Sequence, residues 1–225
     1  MAATIGTWHS LSMSENARRL AMFPLSTVLF PYADLPLHVF EPRYRSLAED
    51  CLAGDRAFGV VLIDRGSEVG GGDHRVDVGT VAHIRDSATF DDGRRLLATQ
   101  GGHRFRVTQW LEDDPYPMAE VTMFPDDASI LEPESTDVRR AESAVRRCRA
   151  LLSEMGGAPP LALDELRDDS PGERLWRLCG SAPCGALDAQ QLLETDDPAA
   201  RVSLLIDLAE ATADDVSRLL ASGDG

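Results

Sequence analysis

From Leu35 to Phe40 the chain alternates, with Leu35, Leu37 and Val39 on one face and Pro36, His38 and Phe40 on the other. That two-residue period predicts a strand with one buried face. Phe58–Ile63 is a short, almost continuous apolar run, suited to a strand buried on both faces. Thr80–Ile84, Leu96–Gln100, Arg104–Leu111 and Met118–Phe124 read as further strands, and Gly70-Gly71-Gly72-Asp73 and Asp91-Asp92-Gly93 as turns between strands. Short strands at regular spacing predict a barrel or sandwich rather than a parallel sheet with crossover helices.

One helix interrupts this half. Pro42 follows Glu41 at a first helical position, where a missing N–H does no harm. Tyr44, Leu47, Ala48, Cys51 and Leu52 then form one apolar face, and Gly54 stands where a left-handed C-terminal residue is expected. Past a polar stretch the period becomes helical. Val138, Ala141, Val145, Cys148, Leu152 and Met155 make a seam that ends at Gly156-Gly157 and Pro159-Pro160. A second helix carries Leu175, Trp176, Leu178 and Cys179. A third begins near Asp188, with Gln191 completing a capping box. The last opens at Asp197-Pro198 and runs through Val202, Leu205, Leu208, Thr212, Val216 and Leu219. The expected organisation is a loose N-terminal tail over 1–20, whose last residues lead into the first strand. A β-rich subdomain over 21–126, a linker over 127–136 and a helical bundle over 137–222 follow, with no room for another domain before Gly225.

Composition narrows the chemistry. All 22 basic residues are arginine, since the chain contains no lysine. A phosphate-binding P-loop, a Ser–Lys dyad and a pyridoxal Schiff base each need that residue, so none can be built here. The formal net charge of −16 repels polyphosphate and disfavours general nucleic-acid binding, while favouring cationic partners. Neither a bilayer-length apolar run of ~20 residues nor a secretory leader pattern is present, and the expected location is the cytoplasm. Cys51, Cys148, Cys179 and Cys184 read as reduced thiols. The Cys179–Cys184 spacing suits zinc, but no second Cys or His pair completes four ligands. No metal and no cofactor is expected.

Three segments carry a resemblance. Phe23-Pro24-Leu25 through Val28-Leu29-Phe30-Pro31 and on to Leu35-Pro36-Leu37-His38-Val39-Phe40-Glu41-Pro42-Arg43-Tyr44 is similar to the opening of the substrate-binding domain of Lon-type ATP-dependent proteases. Val78-Gly79-Thr80-Val81-Ala82 resembles a second strand of that family, and Asp91-Asp92-Gly93-Arg94 with Gly101, Arg104 and Phe105 a third segment. Leu187–Leu193 and Asp197–Val202 are similar to its helical region, so the resemblance covers about residues 22–220. It implies an α+β fold, a PUA-like β pseudo-barrel followed by a C-terminal α-helical bundle, in agreement with the division read from periodicity. It also implies polypeptide recognition without cleavage, as a non-catalytic module acting on exposed segments of other proteins, as an adaptor in protein quality control or beside a separate protease. The chain departs from the family at the glycine insertion over 70–72 and at Gly101-Gly102-His103, where the family usually has a single glycine before its arginine. Either change could alter a binding edge.

The candidate binding residues fall in two groups. Glu41, Arg43 and Tyr44 are either an exposed loop-to-helix corner that touches an incoming chain, or a structural set. In the structural account, which we prefer, Glu41 faces the positive end of the helix dipole, Arg43 pairs with an acid and Tyr44 is core. Trp110, Tyr116 and Met118 precede Phe124 in an acidic region. Residues 111–137 hold Glu112, Asp113, Asp114, Glu120, Asp126, Asp127, Glu132, Glu134 and Asp137 with no arginine. An apolar patch with an acidic rim would suit basic segments of unfolded chains, whereas the plainer reading is barrel-filling aromatics and solvated carboxylates. His38, His83 and His103 sit in strands without a metal-binding pairing, no serine stands in a nucleophile elbow, and no catalytic residue is assigned. The alternative function is RNA binding through Arg139, Arg140, Arg146, Arg147 and Arg149 of the first bundle helix, since PUA-like barrels occur in RNA-binding proteins. Against it, solvent-facing helical arginines commonly pair with acids.

Overall fold

The structure, a computed structural model, describes residues 17–65, 74–124, 135–157, 159 and 170–223. The glycine run at 70–72 and all of the linker before Ser135 lie outside the described residues. The described elements run β1 (Ala17–Leu25), β2 (Asp34–Val39), α1 (Pro42–Ala53), β3 (Ala57–Arg65), β4 (His74–Thr89), β5 (Arg95–Trp110), β6 (Met118–Met123), α2 (Thr136–Glu154), α3 (Pro171–Ser181), α4 (Ala186–Glu194) and α5 (Pro198–Gly223). The chain is thus α+β, strands first and helices after.

The sheet closes on itself. Its order is β2-β5-β4-β3-β1-β6, and β5 also pairs with β6, so β1, β3, β4, β5 and β6 form a ring with β2 added outside. Only the β1–β3 pair is parallel. Closure removes the exposed edges that an open sheet would present. It depends on the length of β5, whose first half pairs with β2 from Asp34↔Gln100 to Val39↔Arg95 and whose second half pairs with β6 from Phe105↔Met123 to Trp110↔Ala119. The sequence pattern predicts two strands here, separated at Gly101–His103. The glycines there do not end the strand but let it turn: a Cβ on Gly101 would lie 2.1 Å from the Phe30 carbonyl oxygen. The expected strand at Thr80–Ile84 is likewise the middle of a longer one.

Alternation sorts the barrel side chains. Leu37 and Val39 point inward while His38 and Phe40 are exposed. Tyr44, Leu47, Ala48 and Cys51 of α1 close one side of the barrel and pack with Phe23, Phe58, Val60, Ile84 and Leu97. A second cluster, with Met22, Val61, Phe105 and Val121 fully buried, fills the other. Pro42 is at the start of α1 as expected, but Gly54 is not left-handed. Its φ is −105° and the positive-φ residue is Arg56, whose N–H donates to the Cys51 carbonyl at 2.9 Å.

The bundle packs α2 along α5, with Val138, Ala141, Val145 and Cys148 buried; Met155 lies beyond the helix end and is exposed. Asp197 caps α5, its carboxylate accepting from the N–H groups of Ala199 and Ala200 at 3.2 Å each. The capping box expected at Asp188 does not form. Gly185 is the N-cap of α4 and Asp188 falls inside its first turn, because the Ala182–Cys184 turn brings the chain into helix two residues earlier than polarity indicates.

Trp176 joins the two halves. It is fully buried, a placement worth on the order of 4–6 kcal/mol for its apolar area. The Arg201 guanidinium lies 3.7 Å from the indole centroid and that of Arg104 at 5.2 Å. Arg104, on β5, also donates to the Leu193 carbonyl at 2.7 Å and to Asp196 at 3.2 Å. Gln190 of α4 donates to the Val78 carbonyl of β4 at 3.0 Å. Polar side chains buried at this junction therefore fix how the bundle docks on the barrel.

Candidate functional site

The end of β1, the second half of β2 and the N-terminus of α1 meet in a groove of about 180 Å³. Its floor is made by Phe23, Leu25, Leu37 and Tyr44, and its lip by His38 and Phe40. Phe23 and Tyr44 stack, with ring centroids 4.2 Å apart and planes inclined by 15°, which holds the start of α1 on β1. The Arg43 guanidinium covers the outer edge of that stack, 4.6 Å from the Tyr44 centroid, and donates from Nε to Glu41 Oε2 at 3.2 Å. Glu41 occupies the N-cap position of α1 without a side-chain bond to the backbone N–H groups of the first turn. Tyr44 is core and Glu41 and Arg43 pair with each other, so the trio is largely internal.

What the groove offers to solvent comes from elsewhere. The β4–β5 hairpin turns through Phe90–Arg94, with the Phe90 N–H donating to the Arg94 carbonyl and the Gly93 N–H to the Phe90 carbonyl. Gly93 has φ +82°, the left-handed conformation that this turn needs. Phe90 then projects beside β2, its ring 6.0 Å from His38, which in turn lies 6.5 Å from Phe40. Leu96 pairs directly with His38 across the strands. Phe40, Phe90 and Leu96 are 53%, 42% and 41% exposed, so they form an apolar shelf continuous with the groove. Around it stand ion pairs of both signs, Arg94–Asp92, Arg95–Glu49 and Arg43–Glu41. The backbone and side-chain N–H groups of Arg94 hold the Asp92 carboxyl below the usual carboxylate range.

Trp110, Tyr116 and Met118 do not line this groove. The Tyr116 hydroxyl donates to Asp50 Oδ2 at 2.7 Å, and its pKa is pushed up to about 12, first by burial and then by that bond. Trp110 lies under Arg75, 4.9 Å from centroid to guanidinium, while Arg75 also binds Asp113 at 3.1 Å. Met118 is half-buried in β6, its carbonyl accepting from the Leu111 N–H. His38, Phe40, Phe90 and Leu96 are not among the binding residues expected from the sequence. Alternation could have marked the first two as outward-facing, but the other two join them only through the β2–β5 register.

The arginines of α2 are mostly engaged. Arg140 makes three hydrogen bonds to Glu210, Arg147 pairs with Asp214 at 3.6 Å, Arg146 with Glu142 at 2.8 Å, and Arg149 donates to the carbonyls of Pro159 and Ser181. Two of these acids, Glu210 and Asp214, belong to the facing helix α5 and Glu142 to α2 itself, so most of the row is spent on intramolecular pairing. Among the described residues no group of three or more His, Cys, Asp or Glu could hold a metal ion, and no helix is long and apolar enough to cross a membrane.

A closed barrel capped by a helix, docked on a helical bundle and carrying an apolar shelf beside a groove, has the form of a recognition module. The family model for the ATP-dependent protease La (LON) substrate-binding domain matches residues 19–211, and the chain belongs to that family. Similar full-length relatives include Lon protease of Cytophaga hutchinsonii, 28% identical over 80% of this chain, and Lon protease 2 of Myxococcus xanthus, 28% identical over 84%. The chain spans only 22% and 23% of their lengths. Among solved structures, the Lon N-terminal domain protein from Xanthomonas campestris is 30% identical with a TM-score of 0.64, covering 84% of this chain and 98% of that one. The N-terminal domain of Mycobacterium avium complex Lon protease superposes with a TM-score of 0.59 over 85% of this chain and 98% of that chain; at 17% identity it speaks for the fold alone.

Proposed function

We propose that this protein binds exposed segments of other polypeptides on the shelf formed by His38, Phe40, Phe90 and Leu96 and in the groove beside it, without cleaving them. The observation that carries this reading is the clustering of three exposed large apolar side chains around one groove, where the other exposed ones among the described residues, Tyr32, Met155, Leu187 and Leu219, lie elsewhere. Two of the segments that carry the family resemblance, residues 35–44 and 91–94, flank this surface although some fifty residues separate them in sequence. Burying one such aromatic ring contributes roughly 1.5–3 kcal/mol, so a few contacts give the modest affinity that suits transient capture. In the cell the protein would act in the cytoplasm as an adaptor, handing segments to a separate protease. The absence of lysine from the chain is consistent with a role that leaves the reaction to another protein.

The test is titration of a permanently unfolded, fluorescently labelled polypeptide into the wild type and the Phe40→Asp and Phe90→Asp variants, at low and high salt. Both side chains are exposed, so stability should change by no more than about 0.5 kcal/mol. Binding should weaken about tenfold or more and depend little on salt. Variants that bind as tightly as wild type would remove this surface from the function.

A further inference from the structure

We propose that a second cleft, at the Asp34–Gln100 end of the β2–β5 pairing and away from the His38–Leu96 end, is a binding site for a small organic oxyanion. It has a volume of about 340 Å³, enough for a one-ring ligand, and is lined by Pro31, Tyr32, His83, Arg85, Gly102 and His103 among others. A β-bulge builds it. The register steps from Thr80↔Arg104 to Ala82↔Gly101, so Val81 of β4 faces both Gly102 and His103 of β5. Such bulges re-aim a side chain, and this one turns His103 outward beside His83. The glycines are required by the same design. A Cβ on Gly102 would come within 2.6 Å of His83 Nε2, and Gly101 lets the Pro31–Tyr32 turn lie on the strand. Tyr32, at φ +63° and partly exposed, forms an aromatic wall; its N–H donates to the Gly101 carbonyl. A non-glycine residue held in that region marks a place where the fold sustains a strained conformation.

Charge supplies the ligand class. The chain carries a net charge of −16, yet the groups facing His83 are Arg85 on its own strand, His103 on β5 and Arg18 on β1, opposed by Asp55 after α1. Arg85 is steadied by Gln100, to which it donates at 2.7 Å, and Gln100 in turn donates to Asp34 at 3.4 Å. Burial first, and then those cationic neighbours, lower the pKa of His83. An anion placed among them reverses that field, so binding takes up a proton and tightens as pH falls. The oxyanion head meets Arg85 and the imidazoles, and an apolar or flat body lies against Pro31 and Tyr32.

The experiment follows the ring resonances of His83 and His103 during titration of the whole chain with benzenesulfonate, phenyl phosphate and benzoate, with phenol as the uncharged control. The anions are expected to shift both imidazoles at millimolar concentrations and phenol to leave them unmoved. Whichever of phenyl phosphate and benzoate binds more tightly identifies the head group as phosphate or carboxylate. Benzenesulfonate, whose charge does not titrate, should bind more tightly at about pH 5.5 than at about pH 8. Arg85→Gln and the exposed His103→Gln should each weaken it about tenfold, the value of one charge-assisted contact. Anions that leave the imidazoles unmoved, phenol that shifts them equally, or variants that bind as wild type would each overturn the proposal. None of these outcomes bears on the polypeptide shelf.

Discussion

Replacing Arg104 with alanine should loosen the junction between barrel and bundle more than any surface substitution. The Arg104 side chain is 2% exposed, and lies 4.3 Å from the Phe124 centroid and 5.2 Å from that of Trp176. Truncation strips two buried methylenes, worth about 1.6 kcal/mol, and one or two cation–π contacts of about 0.5–2 kcal/mol each. It also leaves the Leu193 carbonyl without its 2.7 Å donor, at about 1–3 kcal/mol. Against this stands the relief of no longer desolvating a guanidinium, which is several kcal/mol. Asp196 is 71% exposed and is left in water, so no second buried charge is orphaned. The net loss should be about 3 kcal/mol, which for a chain of this size lowers Tm by about 6–12 °C. Arg104→Met keeps the apolar stem and should lose only about 1 kcal/mol, and Asp196→Asn less than about 1 kcal/mol. Urea unfolding followed by tryptophan fluorescence measures all three. An alanine variant within 1 kcal/mol of wild type, or an Asp196→Asn variant as damaging as Arg104→Ala, would refute this account of the junction.

Other consequences follow from single positions. Gly101→Ala must move the Phe30 carbonyl, 2.1 Å from the new Cβ, and should cost about 3 kcal/mol or more; Gly156→Ala, at φ +77° with open space around it, should cost only about 1 kcal/mol in the same unfolding assay. Burial would raise the Glu142 carboxyl pKa, but hydrogen bonds from Arg174 and Arg146 outweigh it and hold it low in the fold. Stability from Glu142 is therefore complete above the ordinary carboxylate range and lost as pH falls through the depressed value. Glu142→Gln should flatten Tm against pH in that acid window, and an unchanged slope would assign the acid sensitivity elsewhere. Burial, then Asp55 and Asp50, push the Cys51 thiol up to about 12, and burial and then Asp188 push Cys184 to about 11. Buried Cys51 should react with a disulfide reagent near neutral pH only as fast as the protein opens, and half-buried Cys184 slowly because little thiolate is present, so a rapid burst from either in the native state would contradict this.

The sequence by itself determined the order and type of the elements. The alternation of residues 35–40, the apolar face from Tyr44 to Leu52, the Asp197-Pro198 start and the seam from Val138 to Cys148 are local patterns, and local patterns set local structure. The interior of Leu37, Val39 and Tyr44 was legible for the same reason. Tertiary structure alone decided that β5 is one strand with two sets of partners, because a glycine pair reads as a break unless the backbone crowding it is known. It alone buried Arg104 and Arg201 beside Trp176, since a guanidinium is taken for a surface group until its partners are in place. The shelf falls between these cases. His38 and Phe40 face outward by periodicity, but Phe90 and Leu96 reach them through strand register, a long-range pairing that no window of sequence contains.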